Sequence, residues 1–293
     1  MPFPHLAVTE LPFPTPKSVL TQHELRPKRS FGQNFLCDQN LVAKIAALSG
    51  NEPGTVVEIG AGLGALTAEL LRLGHRVIAI ERDRDLLPVL TDWGAAAIDA
   101  GQLSLLEADA KTVEYKPLLA GKPRPWVLAG NLPYNLTGQL LQRATQLASE
   151  LDRAFFLVQL EVAERLVAAP GTSAYGGLSV FVQAAFKAEK AIVVRPGAFY
   201  PQPQVDSAVV TLTPHSVPRA EETPEFQRLV NLAFQQRRKT LRNAWRKSLG
   251  LPIDELAACA EQATVNLDAR GETLSPEDFA RMAQAVRELK GRR

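Results

Sequence analysis

Val56-Val57-Glu58-Ile59-Gly60-Ala61-Gly62-Leu63-Gly64 reads as a short apolar, β-branched strand running into a glycine-rich turn. Ala65 to Leu73 then follow helix spacing, and Gly74 stops them. Working outward, the alternation continues. Residues 38–50 read as a helix with Asp38 at its cap and Leu41, Val42, Ile45 and Leu48 on one face. Strands are expected at 55–59, 77–80, 103–106, 126–129 and 155–160, with a helix at 138–147. Strand–helix–strand alternation dictates a parallel sheet with helices on both faces, a doubly wound α/β fold of Rossmann-like type. Residues 191–194 and 207–212 also read as strands, flanking a Pro-rich loop at 196–203. They are expected as an antiparallel pair at the sheet edge.

After Thr213 the pattern becomes helical throughout. Thr223-Pro224 and Ser275-Pro276-Glu277 are both start signals, a capping hydroxyl followed by a first-turn proline. Phe226, Leu229, Val230, Ala233 and Phe234, and later Phe279, Met282, Ala283 and Val286, fall on single helix faces. The expected organisation is therefore an arm at 1–29, a catalytic α/β domain at 30–215 and a small all-helical domain at 220–293. The arm, with Pro2, Pro4, Pro12, Pro14 and Pro16, reads as poorly ordered. Its basic end, Arg26, Lys28 and Arg29, is suited to touch a polyanion.

Composition narrows the function classes. With 46% hydrophobic and 22% charged residues over 293 positions, the chain can bury a large core. The longest uncharged stretch, 166–186, is broken by Pro170, Gly171, Gly176 and Gly177, so a membrane span is not expected there. Cys37 and Cys259 are far apart, and the four histidines are scattered, so neither a disulfide framework nor a zinc site is expected. A reducing cytoplasm, no secretory leader, no membrane and no structural metal follow as expectations. A monomer is expected.

Three features at the carboxyl ends of the strands describe one ligand. Glycine lets the backbone turn tightly and lets a ligand approach its N–H groups. Here the spacing is GxGxG through Gly60, Gly62 and Gly64, not the GxGxxG of dinucleotide loops. Glu81, ending the next strand, is placed to accept hydrogen bonds from ribose hydroxyls and would repel a 2′-phosphate. Asp109, after the third strand, is placed to accept from an adenine amino group. Together they point to an adenosine-containing cofactor and leave NAD and S-adenosylmethionine both open.

Asn131-Leu132-Pro133-Tyr134 leaves the fourth strand at the same edge. The Asn131 side-chain carbonyl and the backbone carbonyl of Leu132 suit the two N6 hydrogens of adenine. Accepting both would localise a nitrogen lone pair that is otherwise delocalised into the ring. Tyr134 is suited to stack on the base, a contact worth about 1–3 kcal/mol. With a sulfonium donor the leaving group is a neutral thioether, so neither metal nor strong base is required. NAD would leave this tetrapeptide without a purpose, and no His or Lys is placed for hydride chemistry.

At this point the chain resembles a known family. Asn131–Tyr134 looks like the adenine-N6 methyltransferase motif, and from about Arg29 onward the chain is similar to the ribosomal RNA adenine dimethylases. The landmarks are Phe31-Gly32-Gln33-Asn34-Phe35-Leu36, the glycine loop, Glu81, Asp109, the tetrapeptide, Val205-Asp206-Ser207-Ala208-Val209-Val210, and Gln236-Arg237-Arg238-Lys239-Thr240-Leu241-Arg242-Asn243. The resemblance implies S-adenosylmethionine as cofactor, with contacts at Asn34, Leu36, Gly60, Glu81, Asp109 and Asn131. It implies a base-stacking ring at Phe199, within Ala198-Phe199-Tyr200-Pro201, with Gly197 where relatives often carry Ser. It implies four methyl groups, on two adjacent adenosines of the 3′-terminal hairpin of 16S rRNA, added during maturation of the small ribosomal subunit. Other readings remain: methylation of large-subunit rRNA, or an assembly factor for which methylation is secondary.

Residues 237–247 hold Arg237, Arg238, Lys239, Arg242, Arg246 and Lys247 and no acid. At helical spacing Arg238, Lys239, Arg242 and Arg246 would share one face, with Leu241, Ala244 and Trp245 packing behind. A single-sign face is expected to meet RNA phosphates and to bind in a salt-sensitive way. The target adenine must leave any stack to reach Tyr134 and Phe199.

Overall fold

The computed structural model describes residues 15–235 and 238–291, with Lys247 described in its backbone only. The strands are β1 (Phe35–Leu36), β2 (Thr55–Ile59), β3 (Arg76–Glu81), β4 (Leu103–Glu107), β5 (Trp126–Asn131), β6 (Arg153–Gln159), β7 (Phe186–Val194), β8 (Phe199–Tyr200) and β9 (Ser207–Pro214). The helices of the α/β region are α1 (Pro16–Gln22), α2 (Gln39–Ala46), α3 (Ala65–Arg72), α4 (Leu87–Asp99), α5 (Tyr115–Leu119) and α6 (Thr137–Gln146). Further along come α7 (Leu160–Val167), α8 (Gly177–Ala185), α9 (Pro224–Gln235), α10 (Leu241–Leu249), α11 (Ile253–Gln262) and α12 (Pro276–Gly291).

The main sheet has the order β4-β3-β2-β5-β6-β9-β7. From β4 to β6 all neighbours are parallel. β9 runs antiparallel to β6, with Gln159 opposite Ser207, and β7 lies beyond it at the edge. The chain winds outward from β2 to β4, then returns to start β5 on the other side of β2. That reversal opens a crevice at the carboxyl ends of β2 and β5, where such sheets take their ligands. Every residue of β2 is buried, as expected for a strand covered on both faces. Gly130 permits the close approach of β5: a Cβ there would lie 2.4 Å from the Ile59 carbonyl oxygen.

Local signals act as read. Asp38 accepts from the Leu41 N–H at 3.0 Å and caps α2. Thr223 accepts from the Phe226 N–H at 3.2 Å to start α9. Ser275 and Asp278 exchange bonds at 2.8 and 3.2 Å to start α12.

The described residues divide into two compact units: those up to Ala163 together with Lys190–Thr213, and Glu164–Glu189 together with those from Pro214 onward. The expected boundary near 215 coincides with the break between Thr213 and Pro214, but a second segment crosses over. Residues 164–189, read as part of the α/β domain, join the helical unit. The reason is packing: Tyr175, Val180, Phe181 and Ala184 share one apolar core with Phe226, Trp245 and Phe279. Phe279 sits at the centre of that core, edge-on to Phe226 and Trp245 at 6.5 and 6.2 Å. The Trp245 indole N–H donates to the Leu229 carbonyl at 3.0 Å, so its polar atom is satisfied in the core.

The arm expectation is corrected for residues 15–29. Thr15 caps α1 by accepting from the Ser18 N–H, and Pro16 occupies the first turn. Val19 and Leu20 are buried against Phe35, Leu63, Leu86 and Val89. That apolar contact holds down a segment whose composition suggested disorder. Residues 1–14 lie outside the described residues.

Candidate active site

The crevice becomes a cleft lined from four loops: Gly60 and Gly62 after β2, Glu81 and Arg82 after β3, Asp109 after β4, and Asn131 to Leu136 after β5. The segment 30–35 forms its remaining wall. A smaller cavity adjoins it, lined by Leu36, Glu58, Leu66 and Pro16 and sharing Asn34, Gly60, Gly62 and Asn131. The predicted residues Asn34, Gly60, Gly62, Glu81, Asp109, Asn131, Leu132 and Tyr134 thus meet in one place. Leu36 lies beside it, on the smaller cavity.

Gly60, Gly62 and Gly64 all have positive φ, at 72°, 59° and 87°. Gly64 has a second reason to lack a side chain, since a Cβ would lie 2.1 Å from the Trp93 ring. Glu81 is 7% exposed and fastens this loop. One carboxylate oxygen accepts from the Gly62 N–H at 2.8 Å, the other from the Asp83 N–H at 2.7 Å. Burial nonetheless raises its pKa, against the opposing pull of those N–H donors. Each carboxylate oxygen can accept a second bond, so a ribose remains acceptable to it.

Asp109 is a quarter exposed. It accepts from the Lys111 N–H at 3.0 Å and has Arg82 and Lys111 cations 3.5 Å away. The Arg82 guanidinium also lies 5.4 Å from the centre of the Phe31 ring. Asn131 is held by a donor bond from its Nδ2 to the Asn34 carbonyl at 2.8 Å. A carbonyl can only accept, so this bond decides which end of the amide is nitrogen and keeps Oδ1 as an acceptor on the opposite side. The Leu132 N–H donates to the Leu157 carbonyl at 3.0 Å. The Pro133 carbonyl accepts from Leu136 N–H and Thr137 Oγ1, turning the chain into α6. Tyr134 is half-buried, and its hydroxyl bonds to Ser207 Oγ at 2.9 Å.

Two groups of expected residues are placed differently from the sequence reading. Phe199 is 2% exposed and packs in the core of the sheet with Leu36, Val194 and Val209, away from the cleft lining. β8 pairs antiparallel with β1, setting Phe199 opposite Leu36, and this pairing draws the ring inward. The basic stripe also fails as one helix face. Arg238 and Lys239 precede α10, which begins at Leu241, and both are exposed. Arg242 is paired with Asp268 at 3.0 Å, an acid far off in sequence that the fold returns to it. Arg246 is exposed, and Arg237 lies outside the described residues. Leu241 and Trp245 are buried as read.

Sequence reading missed several groups. Lys28 bonds Asp83 at 2.5 Å and Asp85 at 2.6 Å, and Gln33 donates to Asp83 at 2.8 Å. These tie the segment that leads into the cleft wall to the loop after β3, so Lys28 has a role in the fold besides the polyanion contact expected of it. Glu58, beneath the glycine loop, is 2% exposed and accepts from Thr67 Oγ1 at 2.6 Å. Burial pushes its pKa up to about 8. An acid inside an apolar strand was a visible signal for it.

A Rossmann-like sheet with glycine loop, two acids and an amide at its switch point, in a chain with a separate helical unit, defines a methyltransferase of the class acting on nucleic-acid bases. The model of the family described as "Ribosomal RNA adenine dimethylase" matches residues 24–288, and the chain belongs to that family. It is 40% identical to "Ribosomal RNA small subunit methyltransferase A" of Anaeromyxobacter sp. (strain K), covering 94% of this chain and 98% of the relative. It is 41% identical to the protein of that name in Myxococcus xanthus, covering 93% and 95%. Its fold is similar to a dimethyladenosine transferase from Plasmodium falciparum, with TM-score 0.71 at 24% identity over 87% of this chain and 98% of that one. It is also similar to the 23S rRNA methyltransferase ErmE, with TM-score 0.63 at 25% identity over 87% and 100%. Among the described residues no group of His, Cys, Asp and Glu could hold a metal ion, and no helix is long and apolar enough to cross a membrane.

Proposed function

We propose that the protein transfers methyl groups from S-adenosylmethionine to adenine N6 in 16S rRNA, dimethylating two adjacent adenosines of the 3′-terminal hairpin during small-subunit maturation in the cytoplasm. The observation that carries this is the Asn131–Asn34 bond, which commits the amide oxygen to accept. The donor set fits the cofactor: Glu81 for ribose hydroxyls, Asp109 for the adenine amine, and backbone N–H groups of a turn whose glycines leave room for approach. When bound, the cofactor supplies an electrophilic methyl group on a cationic sulfur. Asn131 Oδ1 and the Leu132 carbonyl hold the two N6 hydrogens and localise the lone pair. Tyr134 receives the base face. After transfer the amine is acidic and releases its proton to water, so no side-chain base is needed. Positioning and polarisation carry the rate.

The helical unit supplies phosphate contacts through Arg238, Lys239 and Arg246, with the enzyme acting as a monomer. Identity of about 40% to proteins named for the small subunit, against 25% to ErmE, favours the small-subunit substrate over the large. The test is labelled S-adenosylmethionine with unmodified small subunits, followed by nucleoside mass spectrometry. N6,N6-dimethyladenosine is the expected product, and its absence overturns the reading.

A further inference from the structure

Tyr134 lines the cleft, and its hydroxyl is bonded to a residue outside that lining. The partner, Ser207, opens β9, is fully buried, and stands opposite Gln159 of β6. The sheet order is β5-β6-β9, so the loop after β5 reaches past the end of β6 to bond a residue of the strand beyond. The two hydroxyls are 2.9 Å apart. A buried hydroxyl without a partner costs about 1–3 kcal/mol, so this bond is not readily surrendered. A tyrosine side chain has two torsions. A tether at the phenol oxygen blocks the first, which would swing the ring out of the cleft. It leaves the flip about the ring's own axis, which changes nothing that a stacked base could sense.

We propose that Ser207 is a positioning residue that presets the Tyr134 ring for the target base before RNA arrives. The proposal rests on the reading that Tyr134 stacks on the base being methylated. The hydroxyl then serves as an anchor and not as a proton acceptor. Burial raises the phenol above its ordinary value, and the bond from Ser207 opposes this more weakly, so the group stays protonated at neutral pH. Ser207 lies in the Val205–Val210 landmark, and its bond to Tyr134 gives that serine a task in the reaction.

The experiment is a double-mutant cycle in the full-length enzyme on unmodified small subunits, at saturating cofactor and single turnover. Ser207→Ala and Tyr134→Phe each remove the same bond, and each is expected to slow transfer about five-fold, the effect of one net hydrogen bond. The KM for subunits is expected to stay within about two-fold, and the double variant to be no slower than the slower single variant. S-adenosylhomocysteine binding by calorimetry should match wild type, which reports an intact cleft. Should Ser207→Ala not fold, Tyr134→Phe still decides, because it leaves the strand untouched. Losses that multiply in the double variant, or a Tyr134→Phe enzyme as fast as wild type, overturn the proposal. A wild-type enzyme that yields no N6,N6-dimethyladenosine overturns the function itself; active wild type with a multiplicative cycle overturns Ser207 alone.

Discussion

The cleft and the basic stretch after α9 handle polar groups in opposite ways. In the cleft Asn131, Glu81 and Tyr134 are each bound to a partner that is itself fixed: a carbonyl, two backbone N–H groups and a buried serine. In the stretch 238–246 the side chains of Arg238, Lys239 and Arg246 are exposed, and Arg242 is held by a largely exposed acid. Held groups act through geometry, which matters at the moment of transfer. Exposed cations act through charge, which matters during encounter and is screened by salt.

That contrast can be broken experimentally. Asn131→Ala should lower kcat by about 10²–10³, the usual effect of removing one preorganised polar group, while leaving the KM for subunits within about two-fold. An equal loss in KM would mean that the cleft also captures RNA, and the division would fail.

Glu58 sharpens the cleft side. Its ordinary carboxyl value of 4.5 rises to about 8 in the folded protein. Between those values the unfolded chain gives up its proton while the folded protein keeps it. Stability therefore falls as pH rises from about 4.5 through about 8, by on the order of a few kcal/mol in all. Glu58→Gln should flatten this dependence and unfold later than wild type at pH 8 to 9, read by denaturant titration across pH. A variant with the wild-type slope would show that Glu58 is hydrated and ionised.

On the other side, Arg238→Ala with Lys239→Ala should raise the KM for subunits about ten-fold near physiological salt. It should reduce the log–log salt slope by roughly one to two, with kcat at saturation unchanged. The smallest effect is expected at Lys28→Ala. Breaking its bonds to the buried Asp83 and the exposed Asp85 should weaken S-adenosylhomocysteine binding no more than about five-fold, because Gln33 and the Asp85 N–H still hold the Asp83 carboxylate. RNA binding at low salt should not change. A shift in the salt slope there would place Lys28 on the polyanion surface.

The alternation of strands and helices was legible because burial on both sheet faces demands runs such as Val56-Val57 and Val77-Ile78-Ala79-Ile80, and helix starts carry their own caps. The convergence of Gly60, Glu81, Asp109 and Asn131 followed, since parallel strands bring their carboxyl ends to one edge. α1 had the same signal as α9: Thr15-Pro16 matches Thr223-Pro224, but flanking prolines obscured it. Other features had no local trace. Which ring faces the cleft depends on β8 pairing with β1, and that pairing buries Phe199.

Periodicity, capping and turn chemistry are short-range properties, and they were enough to set the sheet, the cleft's position and the types of group lining it. Partnership between distant residues obeys no such rule. Asp268 meeting Arg242, Lys28 meeting Asp83, and Ser207 meeting Tyr134 arise because chain segments remote in sequence are packed together. Those meetings decide which polar groups are held and which are left to solvent.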